Sequence, residues 1–290
     1  MPEETPPLDY ETLIRLIHDR HEAMSKTYQR IAVYLTQNPN EVAVQSVNAI
    51  AERCGIHASS FVRFAQSLGY TGFKDLQTLF QKRLTTAAPG FETRVRALRD
   101  ELETREDHSE YGFLRDLVVQ DMASLEELLR DIDNADLARA ADMLFAAETI
   151  YLLGQLRAVP VVELLRYTLT MLGKTCILLD PGGGLATHMA RTMGPEDVLF
   201  AVSFRYYATE VVDIVDEASA GGIPIVAISD STLSPLAKSA QVLFAVPEHD
   251  QIFSRSLAAP ISLAQAIVVA VAARVQEDQT APKIPTVTGE

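Results

Sequence analysis

Residues 46–69, SVNAIAERCGIHASSFVRFAQSLG, decide the fold of the N-terminal part of this chain. Ser46 is a residue type that caps the start of helices, and Gly55 stands where a glycine ends the helix after Ser46. A second helix is predicted to begin at Ala58 and to stop at Gly69. The stretch therefore predicts two helices joined by a short turn that contains glycine, which is the pattern of a helix-turn-helix.

In a helix-turn-helix the second helix lies in the major groove of DNA, and its first turns reach the base edges. The guanidinium of Arg63 matches the O6 and N7 atoms of guanine, a pairing that discriminates between bases by roughly 1–3 kcal/mol. Tyr70 and Lys74 follow the second helix and are expected to hold the DNA backbone. The predicted DNA-binding residues are His57, Ser59, Ser60, Arg63, Tyr70 and Lys74. The spacing alone also fits a plain helical hairpin that binds no DNA.

Helical patterns continue on both sides of this stretch, from Tyr10 to about Thr85. Ser25 is a predicted N-cap. The helix after Ser25 is expected to end at Asn38, because the residue before a proline avoids the α conformation. We therefore assign residues 1–85 to an all-α helix-turn-helix domain.

The charge of the chain is unevenly distributed. Residues 1–85 contain nine acidic and nine basic residues, so the rest of the chain carries the whole formal net charge of −14. Within the first domain, the segment from Asp19 to Thr85 has eight basic and five acidic residues. The acidic bulk excludes non-specific binding of nucleic acid by the whole surface. A mildly basic domain on an acidic body is typical of a protein that presents one end to DNA.

The second half of the chain alternates short apolar runs with helical stretches. The runs lie at residues 149–153, 175–179, 198–202, 224–228 and 242–246. Apolar strands that alternate with helices form a parallel sheet that is covered on both faces. We therefore expect an α/β doubly wound domain over residues 112–276, joined to the first domain by a linker at residues 86–111. The polar tail, residues 277–290, is expected to be disordered.

Composition excludes several classes of protein. Cys54 and Cys176 are far apart and in no metal-binding pattern, so neither a disulfide framework nor a structural zinc is expected. The N-terminus has no apolar signal segment. The longest apolar run, residues 261–273, is interrupted by polar side chains and is too short to span a bilayer. The sequence predicts a cytoplasmic protein with no cofactor, no metal and no membrane partner.

A longer motif extends past the second helix, through residues 54–77, CGIHASSFVRFAQSLGYTGFKDLQ. Its characteristic residues are Val62, Arg63, Phe64, Leu68, Gly69, Gly72, Phe73 and Leu76. In this arrangement the motif resembles the N-terminal domain of the MurR/RpiR family of bacterial transcription regulators. The second domain of that family is a sugar isomerase (SIS) domain, a five-stranded parallel doubly wound sheet that binds phosphosugars and generally dimerises. The resemblance implies operator DNA, a metabolite effector and further copies of the chain, in a homodimer or higher homo-oligomer, as partners.

Two loops are expected at the carboxyl ends of the predicted strands, where doubly wound sheets bind ligands. In the first loop, residues 154–158, SIS domains usually have Gly-x-Gly-x-Ser. This chain keeps Gly154 but has Leu156 and Ala158 in place of the second glycine and the serine. A leucine side chain obstructs a close approach of the backbone to a phosphate, and Arg157 is expected to supply a positive charge instead.

The second loop follows the third predicted strand and opens a helix. It resembles the phosphate cradle of SIS domains at Ser203, Thr209 and Glu210. Arg205 and two tyrosines replace the small residues that are usual between them, and the tyrosines also fit packing at an interface. Arginine binds phosphate and carboxylate alike, so the predicted effector is a small anion of either kind. The predicted effector-binding residues are Gly154, Arg157, Ser203, Arg205, Tyr206, Thr209, Glu210 and Ser256.

These features predict a regulator in which operator DNA and a small anionic metabolite bind different domains and change each other's affinity by the same factor. The main alternative is an SIS-type phosphosugar isomerase with a vestigial DNA-binding head. Such an enzyme needs a general base close to its substrate. The candidate bases His188, Glu210 and His249 stand in no recognisable catalytic spacing, so no catalytic residue is assigned. A third interpretation is an oligomerisation protein with neither activity.

Overall fold

The computed structural model describes residues 6–85, 95, 99, 102–103, 109–246 and 255–280. Residues 6–85 form a helical domain, called the head below, and the described residues from 109 onward form an α/β domain, called the body. The helices of the head are α1 (Tyr10–Arg20), α2 (Lys26–Gln37), α3 (Pro39–Val44), α4 (Val47–Cys54), α5 (Ala58–Ser67) and α6 (Phe73–Thr85). Most of the predicted linker lies outside the described residues, and its last two residues already belong to the first helix of the body.

Local sequence accounts for the boundaries of α4 and α5, the two helices of the helix-turn-helix. The hydroxyl of Ser46 accepts a hydrogen bond from the backbone N–H of Ala49 (3.2 Å), so it caps the start of α4. Gly55 ends α4 with a φ of +61°, a left-handed conformation that glycine adopts at little cost. Since α5 then begins at Ala58, both predicted helices are confirmed.

The apolar faces of the head's helices meet in one core. Phe61 of α5 packs edge-to-face on Phe73 of α6, with ring centroids 5.7 Å apart. Tyr28 of α2 packs in the same way on Phe64 of α5, with centroids 5.3 Å apart. Each aromatic pair contributes about 0.5–1.5 kcal/mol beyond the burial of its surface. These contacts hold one face of α5 inward and leave the opposite face in solvent.

The body is a five-stranded parallel sheet with helices on both faces. Its strands are β1 (Thr149–Gly154), β2 (Thr175–Leu178), β3 (Val198–Ser203), β4 (Ile225–Ser229) and β5 (Val242–Ala245), in the order β2-β1-β3-β4-β5. Its helices are α7 (Glu110–Asp131), α8 (Asn134–Ala146), α9 (Val159–Met171), α10 (Ala186–Ala190), α11 (Thr209–Ala220) and α12 (Ala258–Thr280). Each strand boundary lies within one residue of a predicted apolar run, and the predicted fold class is confirmed.

Alternate side chains of each strand point to opposite faces of the sheet. Leu152 and Phe200 lie on the face that is covered by α8, α9 and α12. Leu153 and Ala201 lie on the other face, which is covered by α10 and α11. Because the chain runs from β1 outward to β2 and then returns to β3, the strand order reverses between β1 and β3. The carboxyl ends of these two strands therefore form the switch point at which doubly wound sheets bind ligands.

Helix α12 differs from two expectations. It continues to Thr280, so the first four residues of the predicted tail are helical, and residues 281–290 lie outside the described residues. By length and composition α12 as a whole is also apolar enough to cross a membrane, although the apolar run within it, residues 261–273, is shorter than a bilayer requires. Leu263, Ile267 and Val271 of this helix are buried in the core of the body, as in the core helix of a globular domain.

The head packs against the carboxyl edge of the sheet. Tyr206, Tyr207 and Val212 of the body are part of the hydrophobic core of the head. Beside them, the side-chain amide of Asn40 donates to the carboxylate of Asp213 (2.7 Å). The two domains thus share a buried interface, and this interface lies next to the strand ends at which a ligand is expected.

Candidate functional site

Helix α5 presents one exposed face to solvent. Ser59, Arg63 and Gln66 are all exposed and lie at positions i, i+4 and i+7, so they project from the same side of the helix. Phe61 and Phe64 anchor the opposite side in the core. Hydroxyl, guanidinium and amide groups at this spacing are the groups that read base edges in a major groove. Gln66 is not among the DNA-binding residues predicted from the sequence, although its position three residues after Arg63 indicates that it shares the same face of the helix.

The other predicted DNA-binding residues differ in exposure. His57, before α5, and Lys74, after it, are exposed, and Ser60 is partly buried. Tyr70 is buried in the head, where its hydroxyl donates to the carbonyl of Pro7 (2.8 Å) and where burial raises its pKa. Because this side chain packs inside the domain, the predicted phosphate contact by Tyr70 is corrected to a structural role.

A cavity of about 150 Å³ lies at the switch point of the sheet, at the carboxyl ends of β1 and β3. Residues of both predicted loops line it, together with one residue of the head. The lining residues are Glu11, Gln155, Leu156, Arg157, Ala158, Ser203, Phe204, Arg205, Tyr206, Ala208 and Arg255. Three arginines around one small cavity favour an anionic ligand.

Half of the predicted effector-binding residues line this cavity. Those that do are Arg157, Ser203, Arg205 and Tyr206. Those that lie on the same loops and elements without lining it are Gly154, Thr209, Glu210 and Ser256. The sequence prediction omits Gln155, which follows Gly154 directly, and Glu11. No local signal connects Glu11 with this site, because it belongs to the other domain.

Leu156 of the first loop has a backbone conformation that is typical of glycine. Leu156 has a φ of +56°, in the left-handed region, and the residue is 53% exposed. Such a conformation costs a non-glycine residue on the order of 1–3 kcal/mol and persists only where the surroundings hold it. The loop therefore retains the backbone shape that a glycine gives, while the leucine side chain lies at the edge of the cavity.

Arg157 is held in the cavity by contacts of its guanidinium group. Its Nη1 donates to the carbonyl groups of Arg255 (3.3 Å) and Ser256 (3.2 Å), and the guanidinium carbon lies 4.4 Å from the ring centroid of Phe204. Burial, and then the positive charge of Arg255, lowers the pKa of Arg157 to about 10. This part of the cavity thus carries an excess of positive charge, which an incoming anion would neutralise.

Close packing of β1 on α9 requires a glycine at position 154. A Cβ atom on Gly154 would lie 2.8 Å from Cγ1 of Val162 and 3.2 Å from Cβ of Ala158. Both distances are shorter than ordinary van der Waals contacts between carbon atoms. The contacts of Gly154 therefore indicate a packing role, whereas the sequence prediction assigned it to effector binding.

We expect Gly154→Ala to lower the free energy of unfolding by about 1–3 kcal/mol, because the added methyl group displaces α9. Urea-induced unfolding followed by circular dichroism measures this change. Gly194→Ala is the matched control, since the nearest atom to its added Cβ would be 3.7 Å away, at Asp197. Equal stability of the two variants would contradict the packing role of Gly154.

Arg205 of the second loop pairs with a buried carboxylate. Its Nε lies 3.3 Å from Oδ2 of Asp230, and the two side chains are 9% and 0% exposed. Beneath the loop, the hydroxyl of Ser229 donates to the carbonyl of Ser203 (2.7 Å) and ties β4 to β3. Arg205 therefore lines the cavity while Asp230 balances its charge.

The two tyrosines after Arg205 are held by the head. Tyr206 and Tyr207 have left-handed φ values of +93° and +45°. Arg83 of α6 donates through Nε to the carbonyl of Tyr206 (2.7 Å) and through Nη2 to the carbonyl of Tyr207. In return, the hydroxyl of Tyr206 donates to the carbonyl of Arg83 (2.8 Å). These three residues, called the Arg83 clamp below, connect the second loop to the last helix of the head.

Burial dominates the electrostatics of the clamp. Burial lowers the pKa of Arg83, and the neighbouring tyrosines oppose that change. Burial, and then the negative charge of Asp230, raises the pKa of Tyr207. The guanidinium of Arg83 also lies 5.3 Å from the ring centroid of Tyr10 in α1. A buried cation that is satisfied by carbonyl groups and aromatic faces stabilises the contact between the head and the body.

Two family models match the chain. The model of the helix-turn-helix domain of the rpiR family matches residues 11–87, and the model of the SIS domain matches residues 143–273. The HTH-type transcriptional regulator HexR of Pseudomonas aeruginosa is 22% identical over 242 residues, which cover 82% of this chain and 79% of HexR. An uncharacterized HTH-type transcriptional regulator of Thermotoga maritima is 21% identical over 234 residues, which cover 80% of each chain.

Solved structures share the fold. The Vibrio vulnificus NanR protein complexed with ManNAc-6P matches with a TM-score of 0.57 and 21% identity, over 92% of this chain and 93% of that one. The sugar isomerase domain of an RpiR transcription factor from Sphaerobacter thermophilus matches with a TM-score of 0.54 and 23% identity, over 56% of this chain and 90% of that one.

A helix-turn-helix head followed by an SIS body defines a class of two-domain transcription regulators. The chain belongs to the RpiR family of these regulators.

Proposed function

We propose that this regulator binds double-stranded operator DNA through α5 and senses a small anionic metabolite in the cavity of the body. The Arg83 clamp carries the proposal, because it joins a loop of the cavity directly to the DNA-binding head. The exposed face of α5 supports the DNA-binding role, and the three arginines of the cavity support an anionic effector.

Effector binding and operator binding are linked in this proposal. An anion that binds against Arg157 and Arg205 changes the preferred position of the second loop, and the clamp passes that change to α6. Linkage then requires the effector to change operator affinity by the same factor by which the operator changes effector affinity. Couplings of this kind are typically about 1–3 kcal/mol, or roughly 5- to 150-fold.

The effector class follows from the charge of the cavity. Guanidinium groups bind phosphate and carboxylate in the same planar geometry, so both kinds of metabolite fit the cations present. The NanR protein is complexed with ManNAc-6P, a phosphosugar, in a structure of the same fold. That likeness supports a phosphosugar as the first effector class to test, with small carboxylates as the second.

The geometry favours binding over catalysis. Glu210, a candidate base next to the cavity, accepts hydrogen bonds from Gln155 (2.6 Å) and Thr187 (3.3 Å), so both of its oxygens are engaged. His188 is exposed, and His249 lies outside the described residues. We therefore propose no catalytic residue. Turnover of a ketose/aldose phosphate pair would favour the isomerase alternative instead.

We also propose that the regulator acts in the cytoplasm as a homodimer or higher homo-oligomer, because a two-fold operator requires two heads. Helices α7 and α9 carry exposed apolar side chains that offer a surface for association. They include Leu114, Met122, Leu129, Tyr167 and Met171.

Arg63→Ala is expected to weaken specific DNA binding by about 1–3 kcal/mol, or roughly 5- to 150-fold, and to leave stability unchanged because the side chain is exposed. Capture of fragmented genomic DNA from the source organism by the purified protein identifies the site, and mobility-shift titration on that site measures the loss.

The matched control for this test is Arg130→Ala, which removes an exposed arginine of the body, 70% exposed at the side chain. A captured palindromic site that the Arg63 variant binds with full affinity would remove Arg63 from base reading. Capture of no site, in low salt with a metabolite mixture present, would contradict the proposed function.

A further inference from the structure

An ion pair between the head and the body closes one side of the cavity. Nη2 of Arg255 lies 2.7 Å from Oε2 of Glu11, and the two side chains are only 15% and 9% exposed. Glu11 belongs to the first turn of α1, whereas Arg255 precedes α12. The pair therefore places a carboxylate of the DNA-binding head in the lining of the proposed effector cavity.

The charges around the cavity leave Glu11 as the partner of Arg255. Among the lining residues in the described part of the chain, Glu11 is the acidic one, and Arg157, Arg205 and Arg255 are basic. Asp230 already balances Arg205. The carboxylate of Glu11 is thus the counter-charge for Arg255. The lowered pKa of Arg157, caused by burial and then by Arg255, reflects the cationic excess.

The cavity is small, as expected if the carboxylate of Glu11 already occupies the position of an anionic ligand. Its volume of about 150 Å³ is below the roughly 300–1,000 Å³ of pockets that hold drug-sized ligands. Movement of Glu11 with α1 would both enlarge the cavity and expose the guanidinium of Arg255. A carboxylate offers this guanidinium the same planar pair of acceptor oxygens that an anionic metabolite offers.

We infer that Glu11 is an internal substitute for the anionic effector, so that the carboxylate of the docked head and the anionic group of the effector compete for Arg255. This inference rests on the proposed function, because it specifies how the anion site is regulated. Binding of the effector then releases α1 from the body, and docking of α1 lowers effector affinity by the same factor.

Two variants of the full chain that break the same ion pair distinguish competition from mere loss of a contact. Glu11→Gln and Arg255→Gln should both accelerate amide hydrogen exchange of α1. Only Glu11→Gln should bind inorganic phosphate more tightly, by at least about tenfold over the unmodified chain (a difference of about 1.4 kcal/mol). Isothermal titration with phosphate at constant ionic strength measures this affinity, and Arg255→Gln should bind phosphate no more tightly than the unmodified chain.

Glu22→Gln is the charge-matched control, because Glu22 is an exposed acid of the head. The inference is overturned if Glu11→Gln binds phosphate no more tightly than the unmodified chain, or if Glu22→Gln or Arg255→Gln shows the same gain. The unmodified chain gives a test that needs no variant: saturating phosphate should accelerate exchange of α1 relative to sodium chloride of equal ionic strength, and unchanged exchange overturns the inference. No DNA is present in these measurements. A negative result would therefore overturn this inference and leave operator binding by Arg63 untested by it.

Discussion

Replacement of Arg83 by methionine is expected to lower the free energy of unfolding by about 2–4 kcal/mol. Arg83 is 2% exposed, and its guanidinium is the donor to the carbonyl groups of Tyr206 and Tyr207. Methionine fills a similar apolar volume but leaves two buried acceptors without this donor, at a cost of about 1–3 kcal/mol each. Part of that cost is offset because no guanidinium has to be desolvated. Urea unfolding of the full chain measures the change.

The same substitution is expected to uncouple the two domains. Operator affinity depends on the exposed face of α5 and should be retained, while the change in that affinity on addition of an anion should disappear. Mobility-shift titration on the captured operator, with and without phosphate, measures this response. Lys82→Met is the matched control, since Lys82 is an exposed neighbour on the same helix. If the Arg83 variant has the same free energy of unfolding as the unmodified chain and the same change in operator affinity with phosphate, then the clamp does not couple the two domains.

Most of the fold follows from signals that are local in sequence. Ser46 and Gly55 mark the ends of α4 because a cap and a left-handed glycine act on the residues next to them. The strands are equally local, since each is a short apolar run that must be buried on both faces. The boundary at the end of α12 was less predictable. Residues 276–280 are polar, yet their backbone continues the hydrogen bonds of the helix beyond the core.

The site was predictable only in the part that a single domain builds. Arg157 and Arg205 were predicted because each stands in a loop that follows a strand of the sheet. Glu11 and Arg83 escaped prediction because their partners lie 244 and 123 positions away. The partners of Arg83 are backbone carbonyl groups, which no pattern of side chains reveals. Tyr70 shows the opposite error, because its position after α5 suits a backbone contact with DNA, whereas the fold turns its ring inward.

Arg205→Met is expected to destabilise the chain by about 3–5 kcal/mol, because it leaves the carboxylate of Asp230 buried without its ion-pair partner. The further change Asp230→Asn should recover most of this loss, since a neutral amide needs no counter-charge. Because Asp230→Asn alone leaves Arg205 buried without its partner and should also cost stability, the coupling energy from the two single variants and the double variant is expected to be at least as large as the recovered stability. If Arg205→Met unfolds in urea with the same free energy as the unmodified chain, the pair has no structural role.

The double variant also separates the structural role of Arg205 from a role in effector binding. If Arg205 holds the effector, the double variant should be stable but should bind phosphate more weakly than the unmodified chain. Asp230→Asn alone is the matched control, because it leaves the charge of Arg205 in the cavity unbalanced and should strengthen phosphate binding. If the double variant binds phosphate with the same affinity as the unmodified chain, then Arg205 serves only to neutralise Asp230. Recognition of the anion would then depend on Arg157 and Arg255, the other two arginines that line the cavity.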